Sequence, residues 1–135
     1  MHISESVQAL LASKQRVIER FYERFLTEYP ELRRHFENRD MRIQASMLTV
    51  ALASVEAYYS QRFFATGHYL KVLGHRHYHE GVRPEDYSKF SKTLLETLQG
   101  FLGDDWSPEL EHEWRQALDL AIETMLEGYK GTYTW

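Results

Sequence analysis

The sequence predicts an all-helical protein, and three observations support that prediction. Apolar residues recur at intervals of three and four along almost the whole chain, which is the period of an α-helix. Prolines stand where helices are expected to begin, at Pro30, Pro84 and Pro108, and Gly81 stands where one is expected to end. No stretch shows the alternation of apolar and polar residues that is typical of a strand.

The first half of the chain contains two helical regions separated by a short turn. In the first forty residues the apolar positions at helical spacing are Val7, Leu10, Leu11, Val17, Ile18, Phe21, Tyr22, Phe25 and Leu26. The sequence PELRRHF then opens a short turn at Pro30. A second helix is predicted from about Asp40, a suitable N-cap residue. Its inward stripe consists of Met41, Gln44, Leu48, Leu52 and Val55.

Three further helices are predicted in the second half. One spans roughly residues 67–80, where Gly81 can adopt the left-handed conformation that ends a helix. The next begins at the proline of RPEDY, which is followed by acidic residues in the first turn, and continues to about Phe101. The last begins at Ser107-Pro108 and continues through Met125, and residues 128–135 are predicted to form an irregular tail.

Composition limits the class of protein. At 135 residues the chain is expected to form one domain over residues 1–135. The absence of cysteine excludes disulfides, zinc–thiolate sites and thiol catalysis. The first residues lack the features of a signal peptide, and no apolar run is long enough to span a membrane. Because the formal net charge is −4, nucleic acid is not an expected partner, and a cytoplasmic location is expected.

The segment HRHYH raises the question of a metal site. On a helix, His77 continues the apolar stripe of Leu70 and Leu73 and should point inward, while His75 and His79 should lie together on the other side, in water. Spacing alone leaves two interpretations of His77 open, a buried structural histidine and a ligand, of which the structural one is more common. A two-histidine metal site at His75 and His79 is disfavoured against two solvated side chains. Three further histidines show no ligand spacing and are expected at the surface: His35, His68 and His112.

Four segments in register resemble bacterial single-domain globins and the haem domain of flavohaemoglobins. LGHRHYHEGVRPEDYSKFSKTLLETL is similar to the family's proximal segment, with matches at Leu73, His77, Val82, Pro84, Glu85, Tyr87, Leu94, Leu95 and Leu98. FYERFLTEYPELRRHF resembles the helix B to helix C segment, DMRIQASMLTVAL the distal helix E, and ALDLAIETML the final helix. The resemblance implies a globin fold, a three-over-three helical sandwich with a short first helix.

The resemblance also implies a haem b cofactor and a set of site residues. His77 would be the axial iron ligand, with the Leu73 carbonyl or the Tyr87 side chain as acceptor for its second ring nitrogen. Tyr22 and Gln44 would donate hydrogen bonds to a bound gas, and Leu48 would limit the space beside it. Direct iron binding by Tyr22 or Gln44 stays open. The porphyrin contacts would be Phe36, Leu73, Val82, Tyr87 and Phe90. No catalytic residue is assigned.

The departures from the family also lead to expectations. The family's glutamate in the last helix, near the proximal pocket, has no counterpart here, and Tyr129 falls near its position. No G-x-G-x-x-G motif occurs, so flavin and NADH domains are expected to be absent. Three methionines are expected to fill the core rather than bind iron: Met41, Met47 and Met125.

The function implied is reversible, high-affinity oxygen binding, with nitric oxide and carbon monoxide as further ligands. Nitric oxide dioxygenation, and with it nitric oxide detoxification, would need an external reductase, and a peroxidase-like activity is a further enzymatic possibility. The alternative is a haem-based gas or redox sensor that acts through a partner or a dimer interface, in a monomer or homodimer. Two other hypotheses stay open: a globin-fold adaptor without cofactor, and a zinc or nickel protein built on HRHYH.

Overall fold

A computed structural model describes residues 1–130, and every regular element in that part of the chain is helical. The six α-helices are α1 (Ile3–Ala12), α2 (Arg16–Glu28), α3 (Met41–Gln61), α4 (Phe64–His79), α5 (Pro84–Leu102) and α6 (Pro108–Glu127). Two short 3-10 segments span Pro30–Phe36 and Gly103–Asp105. The predicted all-α class is confirmed. Of the predicted irregular tail, residues 131–135 lie outside the described residues.

The helix ends follow local signals in the sequence. The Asp40 side chain accepts a hydrogen bond from the Arg42 backbone N–H at 2.9 Å, and Ser107 accepts one from the Leu110 N–H at 3.1 Å. Both contacts satisfy a backbone donor that has no partner within its own helix. Gly81, just beyond α4, has φ of +83°, which a residue with a side chain rarely adopts. These predicted boundaries are therefore confirmed.

The break between α1 and α2 has no proline or glycine. Lys14 and Gln15 adopt positive φ angles of 53° and 72°, so two residues with side chains take the left-handed conformation in succession. The Gln15 side chain donates a hydrogen bond to Ser46 Oγ in α3. This contact ties the corner to another helix, which helps to hold a conformation that the local sequence does not favour.

The helices form the predicted sandwich. On one side α3 contacts α1 and α4, and on the other α5 contacts α2 and α6. The two sets meet where α3 packs against α2 and where α6 packs against α3 and α4. The short α1 is also joined to α6, because the buried Trp114 indole donates to Ser6 Oγ at 2.9 Å. No helix within residues 1–130 is both long and apolar enough to cross a membrane.

Two glycines allow α4 and α6 to approach closely. A Cβ atom at Gly74 would lie 1.9 Å from the Met125 carbonyl oxygen, and one at Gly128 would lie 2.0 Å from the Lys71 carbonyl oxygen. Both distances are far inside van der Waals contact, and both obstacles are backbone atoms that no side-chain rotation can remove. The crossing brings the second half of α4, which carries His77, against the end of α6.

Candidate functional site

A mostly apolar cavity lies among α2, α3, α4, α5 and α6. It offers about 210 Å³ to water-sized molecules, whereas one water needs only about 10–15 Å³ on a comparable measure. The cavity therefore accommodates a ligand much larger than water. Its lining includes all nine site residues selected from the sequence: Tyr22, Phe36, Gln44, Leu48, Leu73, His77, Val82, Tyr87 and Phe90.

His77 lies in the last turn of α4 and points inward, as predicted. Its Nδ1 atom is 3.0 Å from Tyr87 Oη, so the hydroxyl, rather than the Leu73 carbonyl, is the partner of this nitrogen. Burial is the main cause that lowers the pKa of His77 to about 4. The imidazole is therefore neutral near pH 7, and Nε2 has no hydrogen-bond partner within residues 1–130. A neutral imidazole with a free ring nitrogen is the form that binds iron.

A third residue, Tyr129, extends the hydrogen-bonded series beyond Tyr87. Tyr129 Oη lies 3.0 Å from Tyr87 Oη and donates a hydrogen bond to the Val82 carbonyl oxygen at 2.8 Å. Burial raises the pKa of both tyrosines, so both hydroxyls stay protonated. Tyr129, which the sequence places near the family's missing glutamate, thus joins His77 and Tyr87 although it follows α6. These three residues are called the proximal group.

Tyr22 and Gln44, the two residues expected on the distal side, contact each other. Gln44 Nε2, in the first turn of α3, donates to Tyr22 Oη in α2 at 3.1 Å. Burial of the Gln44 amide without a hydrogen bond would cost free energy, and the bond to Tyr22 avoids this cost. Burial raises the pKa of Tyr22 to about 12, and its hydroxyl proton has no acceptor within residues 1–130. The Tyr22 O–H is therefore available to a ligand in the cavity, and Gln44 can act through it.

The prediction that His35 lies free at the surface is wrong. Its side chain lines the cavity, and Nε2 is buried without a hydrogen-bond partner among residues 1–130. Arg39, Arg76 and Glu80 also line the cavity, and Arg39 Nη2 lies 3.3 Å from Glu80 Oε1. Carboxylates on a bound ligand could pair with these arginines and accept a bond from His35. One weak signal of this position is present in the sequence, because His35 stands next to Phe36 in PELRRHF.

His75 and His79 lie together, but only His79 is exposed. Their Nε2 atoms are 3.1 Å apart, and His75 Nδ1 donates to the Gly128 carbonyl oxygen at 3.0 Å. The expectation that both rings lie in water is therefore wrong for His75, because it packs against the end of α6. Within the described part of the chain, no group of three metal-binding side chains occurs.

The other histidines and methionines differ from one another in burial. His112 is exposed, and the ring of His68 stacks on Phe64 with 6.0 Å between centroids. Met125 is buried and Met41 packs against the core, as predicted. The prediction is wrong for Met47, which is 45% exposed, although part of the residue also lines the cavity.

Comparisons with known proteins agree with this geometry. A family model described as Globin matches residues 19–125. The flavohemoprotein of Bacillus subtilis (strain 168) is 27% identical over 136 residues, which cover 97% of this chain and 33% of that protein. The flavohemoprotein of Deinococcus radiodurans is 28% identical over 133 residues, again covering 97% and 33%. The anaerobic nitrite reductase HBII of Casuarina glauca is 38% identical over 53 residues, 39% of this chain and 33% of that protein. The chain thus spans about a third of the length of these flavohemoproteins.

Proposed function

Since the chain belongs to the globin family, we propose that it holds haem b through His77 and binds oxygen reversibly beside Tyr22 and Gln44. Membership of the family, with its flavohemoprotein relatives, supports haem-based binding of diatomic gases. The observation that supports the residue assignment most strongly is that one cavity is lined by both His77 and the hydrogen-bonded pair Tyr22–Gln44.

The residues around the cavity fit a haem. The apolar side chains Phe36, Leu73, Val82 and Phe90 suit the face of a porphyrin. The Nε2 atom of His35, which is buried and has no hydrogen-bond partner among the described residues, suits one of the two carboxylates that haem b carries. His77 would hold the haem iron through Nε2, and a bound haem would supply the reversible binding of a diatomic gas.

The distal pair would favour oxygen among the diatomic gases. Of the diatomic gases, oxygen would be the most strongly polarised in this cavity, so it would accept the hydrogen bond that the Tyr22 hydroxyl can donate. Such a bond in a water-poor cavity is worth about 1–2 kcal/mol, which slows escape of the ligand by about tenfold. Carbon monoxide in the same place is less polar and gains less. Leu48, one turn beyond Gln44 on α3, would limit the space beside the gas.

The test is reconstitution with haem followed by absorption spectra of the ferric, ferrous and air-exposed ferrous protein. The wild-type protein should show a histidine-ligated spectrum that changes reversibly with oxygen. His77→Ala should lose that spectrum, whereas the matched control His79→Ala, at an exposed position two residues away, should keep it. A wild-type protein that stays colourless, or an unchanged His77→Ala spectrum, would reject the proposal.

Nitric oxide dioxygenation would be an activity of the same site. One oxygen molecule, one nitric oxide molecule and one electron give nitrate, and the electron would come from an external flavin reductase. The likeness to proteins named flavohemoprotein supports this choice of electron donor. In air, with such a reductase, nitric oxide consumption should yield an equal amount of nitrate. Consumption no faster than without the protein would argue for oxygen binding alone.

A further inference from the structure

We propose that Tyr129 is a positioning residue for His77, which fixes through Tyr87 the ring tautomer with the proton on Nδ1. We further infer that this arrangement makes His77 a neutral and weakly donating iron ligand. The second statement rests on the proposed haem ligation. The first concerns the protein itself and can be tested before any haem is bound.

The direction of each hydrogen bond follows from the last acceptor in the series. The Val82 carbonyl oxygen can only accept, so the single hydroxyl proton of Tyr129 is used in that bond at 2.8 Å. The contact of 3.0 Å between Tyr87 and Tyr129 must then use the Tyr87 proton. The Tyr87 oxygen can therefore only accept from His77 Nδ1, 3.0 Å away, and that nitrogen must carry the ring proton.

This tautomer prepares the site for iron. With the proton on Nδ1, the lone pair of a neutral imidazole is on Nε2, the nitrogen without a hydrogen-bond partner within residues 1–130. Iron binding then needs no proton transfer and no ring rotation at His77. If Tyr129 were absent, Tyr87 could donate to Nδ1, and the proton would move to Nε2, where it blocks metal binding.

The series ends on a neutral group rather than a carboxylate. Asp86 is the carboxylate whose charge acts on both tyrosines, but its oxygens have partners of their own. Asp86 Oδ2 accepts from the Arg83 N–H at 3.0 Å, and Oδ1 lies 3.4 Å from Lys89 Nζ. A carboxylate partner raises the basicity of a ligating histidine, and a neutral carbonyl at the end of two hydroxyls raises it less.

The weak donor strength of His77 bears on the choice of chemistry. An axial ligand that pushes electron density onto iron favours O–O cleavage. A neutral histidine bonded to neutral hydroxyls does so less, which favours reversible binding over peroxidase-like turnover. The hydrogen-bond series at His77 thus favours a gas that is stored or exchanged, rather than peroxide, as the ligand of the proposed haem site.

Tyr129 is held in place by the contacts that it and the neighbouring Gly128 make with α4. The preceding residue, Gly128, lies so close to α4 that an added Cβ would meet the Lys71 carbonyl oxygen. The Gly128 carbonyl accepts from His75 Nδ1 at 3.0 Å. The Tyr129 ring also lies against Tyr78, with 5.3 Å between centroids. Tyr78→Phe is a matched control, since it removes a hydroxyl but keeps the ring that lies against Tyr129, and Tyr78 is 52% exposed and outside the cavity lining.

The first experiment measures the tautomer of His77 in the haem-free protein, from two-bond nitrogen–proton couplings in NMR spectra. The wild-type protein should carry the proton on Nδ1. Tyr129→Phe should shift the population towards the Nε2 form, and Tyr78→Phe should leave it unchanged. A wild-type ring protonated at Nε2, or a tautomer unaffected by Tyr129→Phe, would overturn the inference even if haem binds normally.

The second experiment measures the iron–histidine stretching frequency of the ferrous haem protein by resonance Raman spectroscopy. Tyr129→Glu should raise the frequency, because a carboxylate makes the imidazole a stronger donor. Tyr129→Phe should weaken haem affinity by about tenfold, and Tyr78→Phe should change neither property. An unaltered frequency in Tyr129→Glu, with His77 still bound to iron, would reject the weak-donor inference alone. Loss of the proposed function itself would appear separately, as a histidine-ligated spectrum that survives His77→Ala.

Discussion

The two sides of the cavity differ in how many of their hydrogen-bonding groups already have partners within the protein. On the proximal side, His77, Tyr87 and Tyr129 form three contacts in series that end on a backbone carbonyl. On the distal side, Tyr22 and Gln44 share one hydrogen bond, and the Tyr22 proton has no acceptor within residues 1–130. The hydrogen bonds of His77, Tyr87 and Tyr129 are therefore complete without a ligand, apart from His77 Nε2. Tyr22, in contrast, has a hydroxyl proton that is free to bond a ligand.

This difference suits a haem that is held permanently on the His77 side and a gas that exchanges on the Tyr22 side. A fixed tautomer and a fixed ring orientation favour a bond that is made once and kept. A donor without an internal acceptor loses little when it bonds a ligand, and it can release that ligand without breaking the fold.

The proximal side should make the haem-free protein less stable in acid. Burial lowers the pKa of His77 from 6.5 to about 4, so between these values the unfolded chain binds a proton that the folded chain does not. Stability from this group is fully present above pH 6.5 and falls as the pH drops towards 4, by at most about 3 kcal/mol. Urea unfolding across this window measures the loss. His77→Gln, which does not titrate, should reduce the pH dependence, and an identical dependence would contradict the prediction.

The helix crossing that supports the proximal side should not tolerate a methyl group. Gly74→Ala places a Cβ atom 1.9 Å from the Met125 carbonyl oxygen and should lower the free energy of unfolding by about 2 kcal/mol. Gly100→Ala is the matched control, because a Cβ there meets nothing and α5 gains helix propensity, about 1 kcal/mol of stabilisation. Urea unfolding of both variants measures the difference. Equal stability of Gly74→Ala and the wild-type protein would show that the crossing is looser than described.

Much of this architecture could be predicted from the sequence, because its signals are local. Asp40 and Ser107 cap helices that begin directly after them, and Gly81 supplies a positive φ. Hydrophobic period predicted five helical regions. The first of them is two helices, α1 and α2, because the chain breaks at Lys14–Gln15, and this break depends on a contact with α3. The nine cavity residues required more than periodicity. They came from the order and intervals of the family's motifs, and the globin fold that this resemblance predicted is confirmed.

The features that could not be predicted depend on distant parts of the chain. His35 lies in a 3-10 segment, where no helical stripe marks an inward face, so its burial in the cavity had no periodic signal. His75 looked solvated because its acceptor, the Gly128 carbonyl, is 53 residues away. The position of Tyr129 near the family's glutamate was visible, but its contacts with Val82 and Tyr87 appear only in three dimensions.

On the distal side, removing the hydroxyl donor should speed oxygen loss. Tyr22→Phe should raise the oxygen dissociation rate by about tenfold, which corresponds to about 1.4 kcal/mol. Stopped-flow measurement with the haem-loaded protein gives the rate. Tyr59→Phe is the control, since that hydroxyl bonds Gln116 Oε1 at 2.9 Å and does not line the cavity. Equal rates for Tyr22→Phe and the wild-type protein would remove Tyr22 from the distal assignment.

The smallest effect is expected at Gln44. Because its amide donates to Tyr22, Gln44→Leu should raise the oxygen dissociation rate only about threefold, through a less well oriented hydroxyl. The double variant Tyr22→Phe/Gln44→Leu should then be no faster than Tyr22→Phe, because residues that act through one contact are not additive. Additive effects would mean instead that the amide reaches the gas independently.

The most direct measurement at the proximal side is imidazole rescue of His77→Gly in the ferrous haem protein. Without added imidazole, the variant should lack the histidine-ligated absorption spectrum, and free imidazole should restore it by filling the space of the missing ring. His79→Gly should need no rescue, since that ring is exposed. A His77→Gly protein that keeps the wild-type spectrum in the absence of imidazole would show that another residue holds the iron.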